Sequence, residues 1–246
     1  MLSMPNGCSR QGLRPNLEDT WIAVQHQTPD GLVTLLGVFD GVGGGEEGEL
    51  ASAAAARSIA ESFGGVGMRS IIHDRSWMYG AFFNAGLGVQ LACTGATTGV
   101  VALVRDRHVL IGWVGDSRAC CVSADRCGLR WLTEDHHGVS ETGVPALTRW
   151  LGAAGSDPYS MHTAELAELT LQPGELLMLT TDGVHGTLSD EELLMIVRGC
   201  QVSSPRSNAA RVLCDAAIAM GSTDNCTSLL LATEAGNDRT EEAAHG

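Results

Sequence analysis

Asp40, Asp116 and Asp182 each stand where a strongly apolar run ends, in LLGVFDG, VLIGWVGDSR and LLMLTTDG. Such runs read as strands, and the residue that ends one emerges at the rim of the core. Asp224, in the link Thr223-Asp224-Asn225 before CTSLLLAT, and the pair Glu18-Asp19 before TWIAVQH flank further strands in the same way. If these ends converge, five or six carboxylates share one small space, and like charges that close cannot all stay ionised without compensation. Arg14 and Arg118 are the basic residues nearby in the sequence. Hard divalent cations are the natural compensation. An all-oxygen set of Asp, Glu, a glycine carbonyl and water suits magnesium or manganese, whereas zinc would call for His or Cys. A single Asp carries none of this, because Asp-Gly is a common turn dipeptide; Asp30-Gly31 reads as one, with no chemistry. The weight lies in the set.

The elements that must position these groups are strands and helices in blocks. Runs at 20–26 and 32–39 flank Thr28-Pro29-Asp30-Gly31 and predict a hairpin. Ala- and Glu-rich residues 46–63 predict a helix, with a second over 68–91. Strands are expected at 96–105, 107–114, 118–123 and 129–132, as a run of antiparallel neighbours. Residues 133–160 read as polar and irregular. Strands at 161–171 and 175–181, helices near 189–200 and 206–220, and a strand over 226–233 complete the pattern. Helices that do not alternate singly with strands exclude a simple parallel sheet and predict an α+β fold with antiparallel sheets.

The chain has 246 residues, 44% of them hydrophobic, which predicts one domain over 1–233. The acidic stretch 234–246 reads as a disordered tail. A formal charge of −14 would repel nucleic acid and anionic membranes, so neither is an expected partner. None of the eight cysteines forms a C-x-x-C pair, and several adjoin apolar runs, so they read as reduced core residues. With neither a signal-peptide layout at the start nor an apolar run of membrane length, a soluble, cytoplasmic protein is expected.

The residues now in view resemble the metal-dependent Ser/Thr protein phosphatases of type 2C, over nearly the whole chain. The matching segments are, in order, Gly12-Leu13-Arg14 with Glu18-Asp19, then Val38 to Gly44, Gly95-Ala96-Thr97 and Gly115-Asp116-Ser117-Arg118. They continue through Leu132 to His136, Leu147 to Gly152, Thr181-Asp182-Gly183 and Asp224-Asn225. The resemblance implies two antiparallel sheets packed face to face and flanked by helices, a four-layer sandwich with metals at one end. It implies that Asp40 bridges two manganese or magnesium ions. Asp182 and Asp224 would hold the first ion, Glu18 and the Gly41 carbonyl the second, and Asp19 would orient a bound water. Asp116, with Asp182, matches the place where some members bind a third ion. A bridging water activated by two cations would attack phosphorus of phosphoserine or phosphothreonine in proteins. Arg14 would grip the phosphate with its planar fork. The implied partners are phosphorylated proteins and a cognate Ser/Thr kinase of bacterial type, with the phosphatase acting as a monomer.

Two departures matter. Val42 stands where many eukaryotic members carry a His proposed to protonate the leaving alkoxide, so the proton is expected from a metal-bound water; His185, three residues after Asp182, offers a substitute, but reads first as a loop histidine. The stretch His137 to Ala146 is short where the family has a mobile flap, which implies an open site with fewer means of reading substrate sequence. Two other readings compete. Gly43-Gly44-Gly45-Glu46-Glu47-Gly48 satisfies a dinucleotide-binding pattern, but its glutamates would face the pyrophosphate and another helix follows. A pseudophosphatase would typically have lost metal-binding carboxylates, whereas Asp40, Asp182 and Asp224 are all retained.

Overall fold

The computed structural model of the chain describes residues 2–28, 31–42, 47–64, 75–139, 143, 145–152, 164–200 and 208–234. Pro29 and Asp30 of the expected hairpin turn, the glycine run 43–45 with Glu46, the first part of the helix expected over 68–91 and the tail from 235 lie outside these residues.

The chain opens with β1 (Asn6–Arg10), β2 (Asp19–Thr28) and β3 (Gly31–Asp40), then α1 (Gly48–Gly64) and α2 (Arg75–Ala92). A block of strands follows: β4 (Ala96–Thr97), β5 (Gly99–Arg105), β6 (His108–Val114), β7 (Arg118–Val122) and β8 (Leu129–Trp131). Next come the short β9 (His137–Val139), β10 (Pro145–Leu147) and β11 (Leu151–Gly152), then β12 (Glu165–Thr170) and β13 (Leu176–Thr180). The last elements are α3 (Asp182–His185), α4 (Asp190–Gly199), α5 (Ala209–Ala219) and β14 (Cys226–Ala232).

Two five-stranded antiparallel sheets result, ordered β12-β6-β5-β3-β2 and β1-β14-β13-β7-β8. Strand alternation explains the layers. In β3, Leu35 and Phe39 face one way, onto α1 and α2, while Leu36 and Val38 face the other way, toward the second sheet. In β14, Leu229 and Leu231 point into the gap between the sheets, and Leu230 and Ala232 point toward α4 and α5. Three apolar clusters therefore separate four layers, helices, sheet, sheet, helices.

Three expectations need correction. The strands at 107–114 and 118–123 are not neighbours: β6 belongs to the first sheet and β7 to the second. The chain changes sheets at Gly115, whose φ of 98° is open to glycine. The stretch 133–160 is not simply irregular, since β9 pairs with β10 and β11 with β4. β1 was not foreseen at all, yet it lies along β14 in register from Asn6↔Leu230 to Arg10↔Cys226.

Phe39 shows how the core holds the site. Its ring is fully buried on the face of β3 opposite to that of Asp40, against two glycines. A Cβ on Gly37 would come within 2.9 Å of the ring and one on Gly99 within 3.1 Å, so both strands leave room for it. Phe39→Ala is expected to cost about 3–5 kcal/mol of stability, read by urea unfolding. A loss below about 1 kcal/mol would mean that the site end of β3 is held some other way.

Candidate functional site

The period of two that builds the layers also aims the site. Asp40 continues the face of Leu36 and Val38, so its side chain lies at the mouth of the gap between the sheets. Thr98 continues the inward face of β5. Ser117 does the same below Ala119 in β7, and the two hydroxyls meet at 2.7 Å. Asp182 follows β13 at the start of α3, and Asp224 precedes β14. These ends enclose a pocket of about 190 Å³ lined by Arg14, Asp40, Val42, Thr98, Asp116, Leu147, Asp182 and Asp224. A larger pocket, about 510 Å³, lies at the opposite ends of the same strands beside Leu32, Asp106 and Arg107, away from these carboxylates.

Four of the aspartates thus meet in one pocket. Arg14 also lines it, held by an ion pair with Asp224. Glu18 and Gly41 stand together just beside it: the Glu18 carboxyl and the Gly41 carbonyl carbon lie 3.1 and 3.4 Å from the point where a Gly48 Cβ would sit. A Cβ on Gly41 would collide with the Gly48 and Glu18 carbonyls, so only glycine fits there. Asp19 pairs with Asp40 across β2 and β3 but is buried behind the pocket, where Oδ2 accepts a 2.9 Å hydrogen bond from Thr181.

Electrostatics set these carboxylates apart from surface ones. Burial first, then the charges of Asp19, Asp182 and Asp116, push the Asp40 carboxyl well above its usual range. Asp182 is raised by burial, then by Asp116 and Asp224. Asp116 is raised mainly by burial, against a 2.8 Å hydrogen bond with His137 Nε2 that lowers it. Asp19 is raised to about 7 by burial, with Thr227 and Thr181 pulling it down and Asp182 and Asp224 pushing it up. The Oδ1 atoms of Asp19 and Asp182 are buried without any hydrogen-bond partner. Buried carboxylate oxygens with spare lone pairs suit a hard cation. The donor set fits divalent metals, although among the described residues no three His, Cys, Asp or Glu side chains already close round a common point.

A pH prediction follows. Unfolded Asp19 titrates near the ordinary value of about 4, whereas in the fold it titrates near 7. The folded, metal-stripped protein therefore binds the extra proton between those values, and this contribution to stability is full below the lower one and lost as pH rises through the upper one. Asp19→Asn removes the dependence. Its stability relative to wild type, measured by urea unfolding without metal, should rise between about pH 5 and about pH 8; a constant difference would contradict the assignment.

The loop bearing Arg14 is clamped by a residue not given a role from sequence. Asn225 Oδ1 accepts from the Glu18 backbone N–H at 2.6 Å, and its Nδ2 donates to the Gln11 and Asn16 carbonyls at 2.6 and 3.0 Å. Gly12, at φ 63°, lies so close to the Asp224 carbonyl that a side chain would strike it. His137 was also missed, and nothing but its place two residues after Asp135 marked it. Arg118 is taken up by a two-point pair with Asp135, both contacts at 2.7 Å, and so does not face the phosphate site. His185 contacts Thr180 Oγ1 at 2.9 Å and meets Trp131 edge-on. Burial and then Arg118 hold it down to about 3, so it is neutral near pH 7 and no proton donor. Within the short flap segment β9 pairs with β10, with Leu147 at the pocket wall and His137 at Asp116.

The sequence profile of the protein phosphatase 2C family matches residues 15–216. A putative protein phosphatase 2C-type of Streptococcus pyogenes is 25% identical over 219 residues, covering 82% of this chain and 87% of the relative. Probable protein phosphatase 2C 7 of Oryza sativa is 27% identical over 245 residues, covering 91% of this chain and 64% of that longer protein. The solved serine/threonine phosphatase of S. agalactiae superposes with a TM-score of 0.78 at 20% identity, over 95% of this chain and 100% of that one. The Mycobacterium tuberculosis serine/threonine phosphatase PstP/Ppp gives 0.75 at 20% identity, over 95% and 100%. At such identities these structures attest the fold.

Proposed function

Because the chain belongs to the protein phosphatase 2C family, we propose that the carboxylate pocket is the site of its phosphoserine and phosphothreonine hydrolase activity. The observation that carries this reading is the meeting of Asp40, Asp116, Asp182 and Asp224 with Arg14 around one pocket of about 190 Å³. The family is metal-dependent, and the protein is a protein-serine/threonine phosphatase acting on phosphorylated proteins.

Asp40, Asp182 and Asp224 would hold one manganese or magnesium ion, and Asp40, Glu18 and the Gly41 carbonyl a second. Asp116 and Asp182 would hold a third. When bound, such cations lower the pKa of water and offset phosphate charge. The chain's own groups do the rest. Arg14 exchanges its Asp224 partner for two non-bridging phosphate oxygens, a geometry that its fork matches and a lysine does not. Asp19, anchored by Thr181, faces the metal-binding carboxylates from behind and orients a water. Val42 and Leu147 are the two apolar side chains that line the pocket. Calorimetry with manganese checks the assignment of ligands: Asp182→Asn or Asp224→Asn should abolish the tight site, and Asp116→Asn should leave it. Equal binding by all three variants would overturn it.

The natural substrates in this reading are proteins phosphorylated by a cognate Ser/Thr kinase. We place the enzyme in the cytoplasm as a monomer built on a single catalytic domain; its eight free cysteines suit a reducing compartment, and among the described residues no helix is long and apolar enough to cross a membrane.

A further inference from the structure

Cys8, midway along β1, and Cys214, on the face of α5 that packs against the second sheet, sit side by side in one buried cluster. The two thiols are near enough to shift each other's ionisation. Cys214 Sγ also lies 3.5 Å from the Cys8 carbonyl oxygen and 3.5 Å from Ser228 Oγ. The pair is asymmetric in access: Cys8, on an edge strand, is 9% exposed, while Cys214 is sealed at 0%. It is asymmetric in charge as well. The neighbouring Cys214 thiol, then Arg10 and Arg211, bring the Cys8 thiol down to about 7 against its burial and the charge of Asp215. Cys214 is driven far up, first by the neighbouring Cys8 thiol and then by burial. A thiol at the edge of the core that ionises near neutral pH, packed beside a second cysteine, is the arrangement on which oxidants act selectively.

We propose that Cys8 and Cys214 form an oxidation site, joined into an intramolecular disulfide by hydrogen peroxide. The Cys8 thiolate attacks one peroxide oxygen, the O–O bond breaks, and hydroxide leaves and takes up a proton to become water. Cys8 is then a sulfenic acid. The Cys214 sulfur attacks the Cys8 sulfur, the S–O bond breaks, and the departing hydroxide leaves with the Cys214 proton as a second water. Two thiols lose two electrons and one peroxide gains them. The new bond ties β1 to α5, the strand that leads into the Arg14 loop and the helix that leads toward Asp224. Neither cysteine belongs to the phosphatase site, so the site stands or falls independently of the catalytic assignment.

The test uses the native full-length chain. It is treated with hydrogen peroxide, the remaining thiols are counted by maleimide labelling and intact mass, and peptides are mapped without reduction. The expected result is loss of two of the eight thiols, a mass lower by two hydrogens, and one peptide pair joining Cys8 to Cys214, all reversed by dithiothreitol. In Cys8→Ser, on the edge strand, Cys214 should stay a free thiol under the same treatment. Eight labelled thiols in the treated wild type, a linkage through other cysteines such as exposed Cys127, or oxidation of Cys8 to a sulfinic acid with Cys214 still free would each overturn the proposal.

Discussion

Asp40→Asn is expected to lower phosphate release from a phosphothreonine peptide by at least about 10³-fold while leaving the protein folded. Asp40 is the carboxylate around which the others are arranged: it leaves β3 into the gap between the sheets, and burial, then the charges of its neighbours, push it well above its usual range. An amide keeps the shape and one acceptor oxygen but removes the charge that a metal ligand would supply. The same change should raise the stability of the metal-stripped protein, because it removes a buried carboxylate that has no counter-charge there. The two effects together separate a ligand from a structural residue. Activity within tenfold of wild type, or a variant that melts earlier without metal, would argue against the role given to Asp40.

Arg14→Ala should lower kcat/KM for the same peptide by about 10²-fold, with Arg14→Lys recovering only part of the loss. The reasoning is geometric. Asn225, Gln11 and Gly12 hold the loop in place, so that the guanidinium reaches the pocket from a fixed base. A planar fork held there can meet two phosphate oxygens at once, and a flexible ammonium cannot. Because Asp224 loses its partner in the alanine variant, manganese binding should be retained or tightened, which distinguishes a phosphate-binding role from a metal-binding one. Unchanged kcat/KM in Arg14→Ala would remove Arg14 from the site.

Much of this architecture can be read from the residues because period and burial are written in them. LVTLLGVF and CTSLLLAT are long enough and apolar enough that only buried strands fit, and an Asp beside such a run has few places to go except the rim. What could not be read is what depends on partners far away in the chain. β1, NGCSR, lacks an apolar repeat of its own; it is a strand because β14 pairs with it and because Trp21 packs across Gly7, where a Cβ would lie 2.7 Å from the ring. The run at 107–123 looked like one block of neighbours because its apolar residues continue on both sides of Gly115, while the crossing between sheets happens at that one residue. In the site, the aspartates announced themselves through their positions at strand ends. Asn225 and His137 did not, since a clamp on three backbone groups and a hydrogen bond to Asp116 are properties of the assembled loops.

In the function proposed above, this pocket hydrolyses phosphoserine and phosphothreonine with divalent metal. The decisive experiment is phosphate release from a phosphothreonine peptide by metal-stripped protein, with and without added manganese. No release is expected without metal, and manganese should restore it in wild type but not in Asp40→Asn; release that persists in chelator, or none at saturating manganese, would overturn the assignment.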